Sequence, residues 1–211
     1  MSAYESPLDQ QWRIDRASGW LRTGGSVLLI SATPIQDSPG IVDAIADQAG
    51  AVRVLRCTAN RPTQPYHALV GLLSTITDAE LADLPEPQRA VLSGAPFRPA
   101  PQAEYFTPAA VRLAVLNLCR RLARTGPLLL VVDHLHLVDA GSADVLRFLA
   151  RAGAGLPIQV LATECLTSTR SIGHRMCLRP LLVLGLGALT PGDMSQLIDA
   201  LTLTNHHDAH P

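Results

Sequence analysis

The sequence predicts an α/β fold in three layers, with a mainly parallel five-stranded sheet between two layers of helices. The first observation is a set of short apolar runs, because a continuous apolar run of strand length indicates a strand buried on both faces. Such runs lie at 27–30, 128–132 and 181–184, and two further predicted strands, at 51–57 and 158–162, are mostly apolar. The second observation is that segments with apolar residues at helical spacing separate these runs, and this alternation is typical of a parallel sheet.

The predicted helices follow the strands in order. After the first strand, a helix covers Ile41 to Ala46, and Gly50 ends it. Further helices are predicted at 66–75, 78–84, 87–92, 109–124 and 142–152. Pro108 suits the first turn of the long amphipathic helix at 109–124. A last helix begins at Thr190 as its N-cap residue, with Asp193 three residues later.

Composition limits the classes of function. Hydrophobic residues make up 47% of the 211 residues and charged residues 17%, which favours a folded chain. The net charge of −1 provides no basic field for a nucleic-acid backbone, so we expect no direct DNA binding. The four cysteines are scattered, which predicts buried single thiols instead of a zinc ribbon or a disulfide framework.

The sequence also predicts domain limits and location. We expect a lead-in helix in residues 1–24, one domain in residues 25–203 and a flexible tail in residues 204–211. The N-terminal residues lack the basic and apolar regions of a signal peptide. No apolar stretch approaches the roughly 20 residues that span a bilayer. We therefore expect a cytoplasmic protein that does not enter a membrane.

The segment after the first strand lies where P-loop NTPases bind phosphate. In those proteins a buried strand leads into G-x-x-x-x-G-K-[ST] and then a helix; backbone amides hold the phosphates, the lysine neutralises them and the hydroxyl binds magnesium. Here the segment 31–38 reads S-A-T-P-I-Q-D-S, between a buried strand and a helix. The pattern therefore predicts a P-loop NTPase core. The candidate nucleotide-binding residues are Ala32, Pro34, Gln36, Asp37 and Ser38.

The residues of this loop are unfavourable for phosphate. Ala32 and Gln36 replace the two glycines, which removes the easy access to positive φ that the loop's amides need. Asp37 replaces the lysine, and unit charges ~4 Å apart interact by about 4 kcal/mol at an effective dielectric near 20. Attraction thus becomes repulsion. The sequence predicts that ATP and Mg²⁺ bind weakly or not at all.

A second motif follows the most apolar run. Leu128 to Val132 ends in Asp133, as in a Walker B strand, where the carboxylate orders magnesium. Asp133 and Ser38 are therefore the candidate metal ligands. His134 stands where many ATPases of this class have a second acid, and it is the candidate catalytic base. A purely structural role for His134 stays open.

In these motifs the sequence resembles the N-terminal ATPase domain of large LuxR-type (LAL, AAA/STAND-like) transcriptional regulators. The similarity runs in order through the segments 27–46, 54–57, 65–69, 84–92, 127–152 and 189–193. The segment 127–152 is similar to P-L-L-x-V-V-D-D-x-x-W-x-D-x-x-S, with Asp133, Asp139 and Ser142 matching. The lysine, both loop glycines and the second acid of that family are absent. Its full-length members carry a long helical sensor region and a C-terminal helix-turn-helix.

Three functions are consistent with these observations. The resemblance, with the missing lysine, implies a degenerate ATPase-like regulatory module that acts through protein partners, either a regulator or a second copy of the chain. The alternative is a working ATPase with an atypical loop that uses Ser38, Asp133 and His134. A third is direct action on DNA, against which the neutral charge counts.

Overall fold

A computed structural model of the protein describes residues 7–32, 38–60, 64–93, 107–166, 173–186 and 195. Its sheet has five strands, all parallel, in the order β2-β3-β4-β1-β5. The strands are β1 (Ser26–Ser31), β2 (Arg53–Thr58), β3 (Leu128–Asp133), β4 (Ile158–Cys165) and β5 (Leu181–Leu186). Each strand overlaps one of the five predicted strand segments, so the predicted α/β fold and parallel sheet are confirmed.

Seven α-helices are present among the residues that the structure describes. They are α1 (Pro7–Arg22), α2 (Ser38–Gln48), α3 (His67–Leu72), α4 (Asp78–Ala82), α5 (Glu86–Ser93), α6 (Pro108–Leu122) and α7 (Ala140–Ala152). Two 3-10 helices cover Leu135–Leu137 and Gly173–Arg175. Of the helix predicted to begin at Thr190, the structure describes Ser195, which is helical, and the other residues lie outside the described ranges. The division of the chain at residues 24 and 203 stays a prediction.

The sheet separates two hydrophobic cores, which gives the fold its three layers. Successive side chains of a strand point to opposite faces. Leu28 and Ile30 of β1 therefore join the core beneath α3 to α7, while Val27 and Leu29 join the core beneath α1 and α2. All four side chains are fully buried, which explains why β1 reads as a continuous apolar run.

The layer of α1 and α2 leaves the edge strand β2 partly uncovered. Leu55 and Cys57 are buried on one face of β2, whereas Val54 on the other face remains 40% exposed. Arg56 lies on this less covered face, next to Val54. The edge of the sheet can therefore hold a long charged side chain close to the end of β3.

Among the element boundaries that differ from the sequence prediction, three have a clear local reason. Helix α2 begins at Ser38 and not at Ile41, because the first turn of a helix accepts residues such as Pro39 that lack an N–H donor. Helix α7 begins at Ala140, since Asp139 is its N-cap residue. Strand β4 continues to Cys165, because Thr163 and Glu164 are polar but buried.

The four cysteines are free and buried, as expected. Burial raises the pKa of the Cys119 thiol to about 12, so the neutral thiol behaves as a core residue. Within the described parts of the chain, no helix is long and apolar enough to cross a membrane.

Candidate functional site

The candidate site lies at the carboxyl ends of β3, β4 and β1. These three strands are adjacent in the sheet, and β2 and β5 form its two edges. Ligands of open α/β sheets bind at this end of the strands. Ser31 is the last residue of β1, Asp133 of β3 and Cys165 of β4. The fold thus brings the end of β3 and the start of the predicted loop to the same edge of the sheet.

The structure describes only part of the predicted loop. Ala32, directly after β1, is half-buried, and Ser38 is the first residue of α2. Pro34, Gln36 and Asp37 lie outside the described residues. A strand precedes the predicted loop and a helix follows it, as predicted, while nucleotide binding by these five residues stays a prediction.

Asp133 is buried, with 8% of the residue exposed, and side chains from two neighbouring strands contact its carboxylate. The Thr163 hydroxyl of β4 donates to Asp133 Oδ1 at 3.4 Å. Arg56 Nε of β2 lies 3.8 Å from Asp133 Oδ2. Burial raises the pKa of Asp133, and the nearby Arg56 charge and the Thr163 hydrogen bond oppose this rise.

Arg56 contacts a second acid as well. Its Nη1 donates to Oδ1 of Asp43, which lies on α2. One guanidinium therefore bridges α2 to the end of β3. Its planar array of N–H donors suits two acceptors at once.

His134 follows Asp133 in a left-handed backbone conformation, with φ 58° and ψ 49°. Its backbone N–H donates to Thr163 Oγ1 at 2.9 Å, so one hydroxyl joins the backbone of His134 to the carboxylate of Asp133. A positive φ is uncommon for a residue other than glycine. The structure thus holds His134 beside the predicted metal ligand, and a catalytic role for it remains a prediction.

His136 lies near His134, with the two ring centroids 6.1 Å apart. The backbone N–H of Cys165 donates to His136 Nδ1 at 3.2 Å. Because Nδ1 accepts this bond, it carries no proton, and the neutral ring has its proton on Nε2. Burial lowers the pKa of His136, and the nearby His134 lowers it further.

A cavity of about 170 Å³ opens at these strand ends, between β1, β4 and the 3-10 helix after β3. Its walls include His134, His136, Thr163 and Glu164. Glu164 is buried with 2% exposed, and its Oε2 accepts a hydrogen bond from the Gly173 N–H at 3.3 Å. The cavity therefore has a buried acid in its wall, which is unfavourable for a phosphate group.

The donor set does not fit the magnesium and triphosphate site that a P-loop pattern implies. Both carboxylate oxygens of Asp133 already have a partner, Thr163 for one and Arg56 for the other. In the parts of the chain that are described, no group of three or more His, Cys, Asp or Glu side chains could hold a metal ion. The cation that the structure places beside Asp133 is the guanidinium of Arg56.

Basic side chains in this protein are of one kind. All 17 lysine-plus-arginine residues in the sequence are arginines. No segment of this sequence can therefore supply the lysine that neutralises phosphates in a P-loop.

Asp139 has a structural position that sequence reasoning did not assign. Its Oδ1 accepts hydrogen bonds from the backbone N–H groups of Tyr66 at 2.8 Å and Ser142 at 2.9 Å. Its Oδ2 accepts from the Ala68 N–H at 3.2 Å and the Ser142 hydroxyl at 2.7 Å. The Ser142 hydroxyl in turn accepts from the Leu69 N–H at 3.0 Å. Asp139 and Ser142 thus cap α7 and join its first turn to the start of α3.

Four residues at the site were missed by the sequence analysis, namely Asp43, Arg56, Thr163 and Glu164. The only available signals were an arginine within the apolar run of β2 and two polar residues just after the predicted end of β4. Neither signal fixes which residues meet, because that depends on the strand order and on the register of β2 against β3.

Comparisons with known proteins agree with this geometry. A family model described as AAA ATPase domain matches residues 41–161, more than half of the chain, and the match begins after the predicted phosphate loop. No curated protein matches the sequence.

Solved structures with a similar fold include the Aeropyrum pernix ORC1 protein in complex with DNA, with a TM-score of 0.51 and 16% identity. That similarity covers 94% of this chain and 49% of the ORC1 chain, so this chain spans about half its length. A chain of Drosophila ORC bound to DNA gives a TM-score of 0.49 and 14% identity, covering 89% of this chain and 96% of that one. A STAND protein from Pyrococcus horikoshii, with a tetratricopeptide repeat sensor, gives 0.43 and 13%, covering 90% and 27%. At these identities the likeness concerns the fold alone.

Proposed function

This chain belongs to the AAA ATPase domain family, and we propose that it is a degenerate member, a regulatory module that binds Mg²⁺ and ATP weakly or not at all. The absence of lysine from the whole sequence carries the proposal. The P-loop lysine neutralises the β- and γ-phosphates, and Asp37 stands in its place when the loop is aligned with the consensus. No other segment of the sequence offers a replacement lysine.

The charges around the site support the same proposal. Asp133 and the buried Glu164 lie at the ends of neighbouring strands. The arginine beside Asp133 is already paired with two carboxylates, so its charge is not available to a phosphate. Among the described residues, the cation beside Asp133 is therefore already paired, and a triphosphate there would meet the negative charge of Asp133.

The proposed role is regulatory and acts through protein partners, either a regulator or a second copy of the chain. The order of the sequence motifs supports a relation to LuxR-type transcriptional regulators. The proposal includes residues 25–203 as the ATPase-like domain and a cytoplasmic location. The two ORC structures are described as bound to DNA. For this chain the net charge of −1 argues against direct DNA binding, and a bandshift assay at physiological salt tests that point.

Calorimetry with ATP and ADP in the presence of Mg²⁺ tests the proposal. We expect no micromolar binding by the natural protein. Asp37→Lys should raise the affinity at least about tenfold, since a repulsive charge becomes attractive at the predicted phosphate position. Asp47→Lys makes the same charge change at an exposed position near the other end of α2 and should leave the affinity unchanged. Micromolar binding by the natural protein would contradict the proposal.

The alternative is a working ATPase with an atypical Walker A loop that uses Ser38, Asp133 and His134. The specific observation in its favour is that Thr163 holds the backbone of His134 directly beside the Asp133 carboxylate. Hydrolysis by the natural protein that is lost in His134→Ala, but kept in His136→Ala, would establish this alternative. The same loss in both variants would indicate a structural role for the two histidines.

A further inference from the structure

We infer that the guanidinium of Arg56 takes the place of a metal ion as the counter-cation of Asp133, and that this arginine keeps divalent cations out of the site. The inference rests on the proposed function for the location of the site, and it adds the residue that decides which cation the site holds. It follows from the strand register, from the two acids that Arg56 contacts and from the formal charges of these three residues.

The strand register brings Arg56 to Asp133. Arg56 is the register partner of Val131, and Thr58 is that of Asp133. Paired residues of neighbouring strands point to the same face, so Arg56 shares the face of Val131, which is covered by α1 and α2. Asp133 lies two residues after Val131 and therefore points to that face as well. The 40% exposure of Val54 on the same face shows that the helices leave room there for the arginine side chain.

Helix α2 supplies the second acid. Arg56 Nη1 donates to Asp43, while Arg56 Nε lies 3.8 Å from Asp133 Oδ2. Because Thr163 donates to the other oxygen of Asp133, a metal ion that binds Oδ2 would lie beside the Arg56 guanidinium and would be repelled by its charge.

The formal charges show what the arginine prevents. Asp43, Arg56 and Asp133 together carry a formal charge of −1, and without the arginine the two carboxylates carry −2. Both carboxylates touch the same side chain, so they lie on either side of one small volume. Carboxylate oxygens are the ligands that Mg²⁺ and Mn²⁺ prefer. Removal of Arg56 should therefore convert this place into a divalent-cation site.

Mn²⁺ binding without nucleotide tests the inference, by electron paramagnetic resonance of free Mn²⁺. We expect Arg56→Gln to bind one Mn²⁺ at least about tenfold more tightly than the natural protein. Adding Asp43→Asn to that variant should abolish the gain. Arg56→Lys keeps the positive charge and should not bind Mn²⁺ more tightly than the natural protein.

A matched control comes from the same strand. Arg53 forms an ion pair with Glu80 at 3.3 Å, and Glu80 is not one of the two acids that contact Arg56. Arg53→Gln therefore also removes an arginine from β2 and leaves its partner acid unpaired, but it creates no pair of carboxylates. We expect no gain in Mn²⁺ affinity. Equal affinity in Arg56→Gln and Arg53→Gln would overturn the inference, as would tight Mn²⁺ binding by the natural protein.

A second measurement covers the case in which Arg56→Gln does not fold. The Nε–H of Arg56 can be followed by NMR in the natural protein and in Asp133→Asn. We expect the Nε–H resonance to shift and to exchange faster with water in the variant, because Nε faces Asp133. An unchanged resonance would overturn the inference. Neither experiment contains nucleotide, so micromolar ATP binding would defeat the proposed function and leave these results interpretable.

Discussion

Asp133 and Asp139 are both buried acids, with 8% and 6% of the residue exposed; Asp133 ends β3 and Asp139 lies shortly after it. Their carboxylates nevertheless have very different surroundings. Asp139 accepts four hydrogen bonds of 2.7 to 3.2 Å, three of them from backbone N–H groups. Asp133 has one long hydrogen bond from Thr163 and one ion pair at 3.8 Å.

The pKa values of the two acids move in opposite directions. Burial raises the pKa of Asp133, and its few partners do not offset this. Burial also acts to raise the pKa of Asp139, but the hydrogen bonds from Ser142, Ala68 and Tyr66 outweigh it and hold the pKa below its usual value. Asp139 is thus part of the fold, whereas Asp133 is held by side chains that another ligand or a substitution can replace.

Asp139→Ala should have the largest effect on stability. It removes the N-cap of α7 and leaves the buried N–H groups of Tyr66 and Ala68 without their acceptor. A lost cap costs about 1 kcal/mol. Each unsatisfied buried donor costs about 1–3 kcal/mol. We expect a loss of roughly 3–5 kcal/mol in the free energy of unfolding, measured by urea denaturation.

Asp144→Ala is the matched control on the same helix. Asp144 is 40% exposed and pairs with Arg112 at 3.2 Å, so its removal should cost at most about 1 kcal/mol. Similar losses for the two variants would mean that the hydrogen bonds of Asp139 do not stabilise the corner between α3 and α7.

The contrast explains what the sequence could predict. Strands β1 and β3 were predictable because each contains a continuous apolar run, and this pattern follows from burial on both faces. Asp133 was predictable because it directly ends such a run. The partners of both acids were not, because Arg56 and Tyr66 are far from them in sequence and meet them only through strand order and helix packing.

The boundaries that were wrong have a related cause. Thr163 and Glu164 interrupt the apolar pattern of β4, so the strand was predicted to stop at Ala162. Both residues are buried because they form polar contacts at the strand ends, with Asp133 and with the Gly173 N–H. Where a strand carries buried polar residues next to a candidate site, hydrophobicity alone therefore predicts the end of the strand wrongly.

Replacing one glycine in α7 and one in α2 tests whether the Asp139 corner is packed more tightly than the Asp133 side. A Cβ on Gly141 would lie 3.0 Å from the ring of Tyr66. Tyr66 is buried, and its backbone N–H donates to Asp139. We expect Gly141→Ala to cost about 1–2 kcal/mol, because the ring must move. A Cβ on Gly40 meets nothing within 4 Å.

Gly40→Ala should therefore stabilise the protein by about 0.5–1 kcal/mol, through the higher helix propensity of alanine. Thermal unfolding of both variants measures the difference. Stabilisation by both substitutions would show that the Tyr66 ring yields without cost, and that the corner is no tighter than the start of α2.

Asp133→Asn should have the smallest effect at neutral pH. A carboxyl whose pKa is raised in the folded state binds its proton more tightly there than in the unfolded chain, so ionised Asp133 lowers stability above that pKa. Asparagine is neutral and can still accept from Thr163. We expect the variant to unfold within about 1 kcal/mol of the natural protein at pH 7, and to be the more stable of the two.

The pH dependence of the same comparison separates the two acids. As pH falls through the raised pKa of Asp133, the natural protein regains the proton, and the advantage of Asp133→Asn should shrink towards zero. Asp139→Asn should show the opposite sign, since a lowered pKa contributes stability above the ordinary aspartate pKa of about 3.9 and loses it as pH falls further. Urea denaturation at a series of pH values measures both differences. A loss of more than about 2 kcal/mol in Asp133→Asn at pH 7 would mean that its carboxylate, like that of Asp139, is required by the fold.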